Sequence, residues 1–344
     1  MAKVLYTGGR LCSVRVITPG ANEVTYSWWN HAYADVALAM NGVTAIDCYD
    51  PASAPLLVAY EVPAGHSFYF HGTFSYSDGM RGNNDFLYVV DAAGHPWLKV
   101  GTDPGSNTLV ALWYNSGSGG SPAWTQLGVS VPFPGYGSGY AAMDIKLDID
   151  AGGNHTVLFA LNNVANIGPI GFTAAGLTNA AGVQFFNSNI YSAPICWSEL
   201  LMTEDWSTVG AHVATTRPTG AGSDTGWTGV YTDVNEQVTN DTTVNQAFTA
   251  GLNQTYPQTD ITVPDGYLIA GWWNWLRCKN DGTAPENIQS ICRPASTDHV
   301  SADLGAVAVT FASNGAQYPQ NPDTSAAWTQ SDVNAGQLGF ASAT

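Results

Sequence analysis

The sequence predicts an all-β chain: an antiparallel sandwich over residues 1–205, followed by a second, smaller β-sandwich over residues 206–344. Three observations carry this expectation. Apolar residues recur with period two in run after run, 37 Gly and 18 Pro punctuate those runs, and no amphipathic helical pattern outlasts a short turn.

The elements follow in chain order. In SFYFHGTFSY, Phe68, Phe70, Phe74 and Tyr76 fall on one face and Tyr69, His71, Thr73 and Ser75 on the other, the pattern of a half-buried strand. FLYVVDAAGHPWLKV reads as two strands around a Gly-containing hairpin turn at 91–95. TLVALWYN is a further strand, ended by NSGSGGSP, whose composition predicts a flexible loop. Residues 143–161 form the clearest hairpin, with Ile145, Leu147 and Ile149 pointing one way and Asp144, Lys146, Asp148 and Asp150 the other, around the turn AGGNH. Past Glu199 the texture becomes rich in Gly, Thr and Pro, which sets the boundary at 205/206. Beyond it YLIAGWWNWLRCKN and NIQSICRPAS are expected to pair as a hairpin, LGAVAVTFAS to add a strand, and Asp332 to cap one short turn before the last strand.

Charge excludes several classes of function. Ten Lys and Arg against 27 Asp and Glu leave a net charge of −17, and only 11% of residues are charged. So few cations cannot neutralise a phosphate track, nor hold the chain on an anionic membrane. An aromatic content of 12% excludes a disordered acidic chain. The opening MAKVLYTGGRLCSVRV lacks the apolar core of a signal peptide, and no run approaches the ~18 apolar residues of a spanning helix. Five cysteines (Cys12, Cys48, Cys196, Cys278 and Cys292) without CxxC spacing suit free thiols in a reducing compartment. The alternative is one disulfide, Cys278 to Cys292, across the expected hairpin.

Three groups of residues bear on chemistry. Asp144, Asp148 and Asp150 alternate along one strand, as candidate Ca²⁺ ligands or as the solvent face of an edge hairpin. Residues two apart on a strand lie ~6.6–7 Å apart, too far for one ion to bridge readily, which favours the solvent face. The six Glu (Glu23, Glu61, Glu199, Glu204, Glu236 and Glu286) show no ExDxxE pattern, so the carboxylate pair of a glycosidase is not expected. His66 and His71 are oddly spaced, His95 and His155 sit in turns where solvation is simplest, and HExxH, GxSxG and Walker A patterns are absent. No catalytic residue and no cofactor are expected, with Ca²⁺ the single ion worth considering. The aromatic clusters Trp28–Trp29, Trp113–Tyr114 and Trp272–Trp273–Trp275 remain, as subunit contacts or as stacking platforms for a glycan.

The opening LYTGGRL, the strand SFYFHGTFSY, the hairpins LYVVDAAGHPWLKV and TLVALWYN, and MDIKLDIDAGGNHTVLFAL followed by SELLMTEDW resemble the concanavalin A/laminin G-like jelly roll of tailed-bacteriophage structural proteins. VATTRPTGAGSDTGWTGVYTDVNE, NDTT and the ending NPDTSAAWTQSDVNAGQLGF, with Trp328, Asp332, Val333 and Asn334, resemble the domain that follows it there. The resemblance implies a non-enzymatic virion component, a tail fibre, minor tail, spike or head-decoration protein. It implies synthesis in the host cytoplasm, contacts with other virion proteins and assembly as a homo-oligomer, a trimer for a fibre or spike, while a charge of −17 repels packaged DNA and favours the outer surface of the particle. Host-surface glycan is the ligand such a fold would meet. The competing expectation is a carbohydrate-binding module or glycan-cleaving enzyme on the same lectin-like fold.

Overall fold

A computed structural model of the chain describes residues 3–8, 16–18, 21–24, 46–47, 56–76, 85–106, 108–133, 140–185, 195–211, 213–214, 216–235, 242–282, 285, 287–305, 307 and 309–344. The chain divides into two compact units between Val213 and Ala214. This is later than 205/206, and Trp206, the first residue past that boundary, is tied to the first unit by Thr203 Oγ1, which donates to Trp206 O.

The first unit carries β1 (Lys3–Gly8), β2 (Val16–Thr18), β3 (Ala21–Val24), β4 (Ile46–Asp47), β5 (Leu56–Pro63), β6 (Ser67–Tyr76), β7 (Asp85–Val90) and β8 (Pro96–Thr102). It continues with β9 (Leu109–Asn115), β10 (Trp124–Pro132), β11 (Tyr140–Asp148), β12 (Asn154–Leu161), β13 (Val164–Thr173), β14 (Asn179–Phe185) and β15 (Ile195–Glu204). One sheet runs β1-β15-β6-β11-β12-β13, with β4 also on β15; the other runs β10-β9-β8-β7-β14-β5-β2-β3, and every pairing is antiparallel. The two pack as a jelly-roll-like sandwich. Phe68, Phe70 and Phe74 of β6, Ile145 and Leu147 of β11, and Leu87, Leu98 and Leu112 of the facing sheet are fully buried between them. Phe74 sits 5.8 Å from Phe86 and 4.8 Å from Phe133, ring to ring.

Hairpins β7–β8 and β11–β12 form as their sequences predict, each turn closed by an aspartate. Asp91 accepts from Ala93 N–H and His95 N–H (both 2.9 Å), and Asp150 accepts from Gly152 N–H and Asn154 N–H (2.8 and 3.3 Å). Three local expectations change. The 143–161 hairpin lies inside its sheet, with β6 on one side and β13 on the other, rather than at an edge. His155 is buried, its ring accepting from Asp150 N–H at 3.1 Å and meeting Ala174 O at 3.0 Å. The loop after β9 is pinned by Asn115 rather than flexible, its amide bonded to Pro96 O, Ser118 O, Gly117 N–H and Ala123 N–H.

The pairing at each of the four sheet ends is irregular, that of β2 with β3 between Val16 and Thr18. Register shifts occur in β1 between Val4 and Tyr6, in β10 between Leu127 and Val131, and along the β12–β13 pairing. Gly128 in β10 takes a left-handed φ of 65°, and β13 holds Pro169.

The second unit is a smaller β-sandwich. Strands β16 (Asn253–Pro257), β18 (Asn287–Arg293), β19 (His299–Val300) and β21 (Gln337–Ala343) form a sheet in the order β16-β21-β18-β19, and β17 (Trp272–Cys278) pairs β20 (Ala312–Tyr318). The expected β17–β18 hairpin is therefore not made. Cys278 sits opposite Ala312, whereas Cys292 sits opposite Leu338 and His299. No disulfide joins them. The reason is core packing: Cys292 is fully buried with Trp272, Trp328, Val333 and Leu338, and Asn274 spans the gap by donating to Ser290 Oγ and Gly339 O. The short helix α1 (Gln330–Ala335) is capped by Thr329, not by Asp332. Asp332 is the returning half of a capping box, accepting from Thr329 N–H at 2.9 Å. No helix among the described residues is long and apolar enough to cross a membrane.

Candidate functional site: an aromatic row on the outer face of the larger sheet

Five strands of the larger sheet align one row of side chains. Register sets Gln184 opposite Tyr88, Tyr88 opposite Lys99, Lys99 opposite Trp113 and Trp113 opposite Gln126. Directly opposed residues share a face. The adjacent row, Val183, Val89, Leu98 and Tyr114, takes the other face: the three aliphatics are buried, and the Tyr114 ring lies 5.0 Å from Phe172 in the facing sheet. The Tyr88–Lys99–Trp113–Gln126 row therefore points away from the sandwich core.

Trp113 is 8% exposed and forms the floor. Lys99 Nζ lies 4.5 Å from its ring centre and 5.2 Å from that of Trp124, and bonds Asp85 Oδ1 at 3.2 Å. Trp124 and Tyr88 stand half-buried with ring centres 5.2 Å apart, and Tyr88 O–H donates to Asp85. Burial, then that carboxylate, pushes the Tyr88 phenol up, so it stays a neutral donor. At the row's end Gln126 Nε2 donates to Ser130 Oγ (3.0 Å), which donates to Asp103. The Ser130 hydroxyl and Gly105 N–H hold the Asp103 carboxyl below its ordinary value. Half-exposed rings beside amide, carboxylate and ammonium groups offer what a pyranose needs, an apolar face for its C–H bonds and partners for its hydroxyls.

The other sequence candidates take different places. Trp28 and Trp29 lie outside the described residues. Trp113 faces out and Tyr114 in. Trp272 belongs to the core of the second unit, its ring 5.4 Å from Trp328 at 86°, while Trp273 and Trp275 stack at 5.2 Å and 10° on the opposite face of β17, above Gly315. Asp144, Asp148 and Asp150 do not converge. Asp144 is fully buried and bonds His71 Nδ1 (2.9 Å), Asp148 bonds Lys146 Nζ (2.9 Å) and Ser67, and Asp150 closes its turn. Sequence reading missed Tyr88, Lys99 and Trp124, since only strand register brings them together. The same holds for a second cluster, in which His66 Nδ1 meets Asp205 Oδ2 (2.6 Å) and Glu204 Oε1 (3.3 Å). The Asp205 hydrogen bond raises the His66 pKa. Burial pushes the Asp205 carboxyl up, but the Ser67 N–H and His66 outweigh it and leave it below its ordinary value.

No protein-family model matches the chain, and no curated protein does. Among solved structures it is similar to an endo-β-1,4-glucuronan lyase from the fungus Trichoderma reesei (9% identity, 59% of this chain and 94% of that one, TM-score 0.34). It is also similar to the cellulose-induced protein Cip1 (12%, 49% and 82%, TM-score 0.33) and to the alginate lyase Aly36B (10%, 43% and 72%, TM-score 0.29). Likeness at this level transfers no activity and no residue role. None of the three is described as a virion component.

Proposed function

We propose that this chain is a non-catalytic glycan-binding protein whose ligand lies across the outer face of the larger sheet, on Trp124 and Tyr88, with Lys99, Asp85 and Gln126 as hydroxyl partners. The observation that supports this reading is the in-register row itself: aromatic and hydrogen-bonding groups sit side by side on a face turned away from the core. Lys99 is neutralised by Asp85, so the reading is of a neutral sugar rather than a polyanion. Display on a virion surface as a homo-oligomer, beside other virion proteins, is the finer part of the proposal, and the sequence resemblance alone supports it.

The test is a glycan array probed with the labelled chain, followed by Trp124→Ala. Binding of neutral glycans should fall at least tenfold in the variant while its thermal unfolding stays unchanged, a loss of ~1.4 kcal/mol or more. Absence of any bound glycan, or binding that survives the substitution, would remove this reading.

A further inference from the structure

The geometry points to a metal site at the end of the smaller sheet: we infer that His66, Glu204 and Asp205 bind one divalent transition ion of the zinc class. The three ligating atoms, His66 Nδ1, Glu204 Oε1 and a carboxylate oxygen of Asp205, lie within 4.8 Å of one another, the one such trio among the described residues. Neither the glycan row nor the aspartates read from the sequence take part in it.

The trio is built by the fold. His66 closes the turn between β5 and β6, held by Gly65 N–H on Ile149 O (2.7 Å) and Ile149 N–H on His66 O (3.0 Å). Glu204 ends β15, its side chain 15% exposed. Asp205 follows directly, and adjacent residues of a regular strand would send their carboxylates to opposite faces. They converge because Asp205 takes a left-handed φ of 56°, uncommon for a residue with a side chain. Ser67 N–H then binds Asp205 Oδ1 at 2.8 Å, which fixes that oxygen and leaves Oδ2 toward the imidazole. This is the supporting hydrogen bond that orients ligating carboxylates.

His66 Nδ1 is hydrogen-bonded to Asp205 Oδ2 at 2.6 Å and lies 3.3 Å from Glu204 Oε1. A divalent ion between them would meet three donor atoms that already lie within 4.8 Å of one another. Zinc with ligands at ~2.0–2.2 Å holds them ~3.3 Å apart, so Glu204 is already at that separation and Asp205 has to withdraw by ~0.7 Å. One nitrogen and two carboxylates form a mixed set for which imidazole selects zinc-class ions over calcium, which prefers six or more oxygens. His66 and Asp205 are 43% and 44% exposed, which gives the ion an entry path and leaves its fourth position to water.

Titration calorimetry of the full chain with zinc chloride, and separately with calcium chloride, tests this. Zinc should saturate one site per chain and calcium none. Co²⁺ should develop visible absorption bands that His66→Ala lacks. Asp205→Asn should bind zinc at least tenfold more weakly. The inference is overturned if zinc shows no saturable site, if calcium alone binds, or if His66→Ala keeps the same stoichiometry, which would place the ion at His95–Asp91 or His299–Asp323. Should His66→Ala not fold, Glu204→Gln replaces it, and an unchanged zinc affinity there overturns the inference equally.

Discussion

The side-chain amide of Asn115 has two donor and two acceptor sites, and all four are used, three within the loop that follows β9 and one on Pro96 O of β8. Truncation to Ala would remove four part-buried hydrogen bonds at once, so Asn115→Ala should cost about 1–3 kcal/mol in denaturant unfolding and loosen residues 116–123 to hydrogen exchange. A similar single-residue argument applies to Cys278 and Cys292. Burial, with Asp323 adding to it, pushes the Cys292 thiol up to about 12, whereas Cys278 is only partly buried. A thiol-specific reagent at mildly alkaline pH should therefore label Cys278 in the native chain and reach Cys292 only on unfolding; equal labelling would contradict the core described here. The sign for stability follows. Above about 9 the unfolded chain releases this proton while the folded one keeps it, so the contribution falls as pH rises from there toward about 12.

Strands legible in the sequence were those with a clean period-two pattern, and hairpins legible there were those closed by a short turn. Phe68, Phe70 and Phe74, and Ile145 and Leu147, show period two, and the turns at 91–95 and 150–154 carry the Asp and Gly that such hairpins need. What the sequence hid depends on long-range register. Strand β17 skips β18 for β20, and even among strands adjacent along the chain Tyr88, Lys99 and Trp113 become neighbours only in the bulged register that β7, β8 and β9 adopt. His71 and Asp144 were visible as the polar side of their strands, but their mutual hydrogen bond needed the β6–β11 pairing. In the second unit, β21 is clamped between β16 and β18, and a Cβ on Gly339 would stand 1.9 Å from Gln254 O. Because that obstacle is backbone, Gly339→Ala should destabilise the chain by about 2–3 kcal/mol, measurable as a lower urea midpoint at unchanged slope. An unchanged midpoint would contradict the close approach of Gln254 O to Gly339.

At the scale of the whole molecule, −17 charges and paired local ions set how the chain meets other bodies. Homo-oligomer assembly, the trimer of a fibre or spike, is checked by light scattering after size exclusion: three times 36.3 kDa is expected. A single-chain mass would leave the module to gain its symmetry from a larger particle, or to act alone as a sugar binder. The irregular sheet ends decide what kind of contact such an assembly makes. A passing strand can extend a sheet only where consecutive N–H and C=O groups stand in unbroken register. At β1 and β10 a bulge breaks that register, and in β13 Pro169 offers no N–H. A copy approaching any of these borders finds no template to continue. Neighbours must join through side chains, face against face, and a crowded array of such modules is kept from fusing into fibrils along those borders.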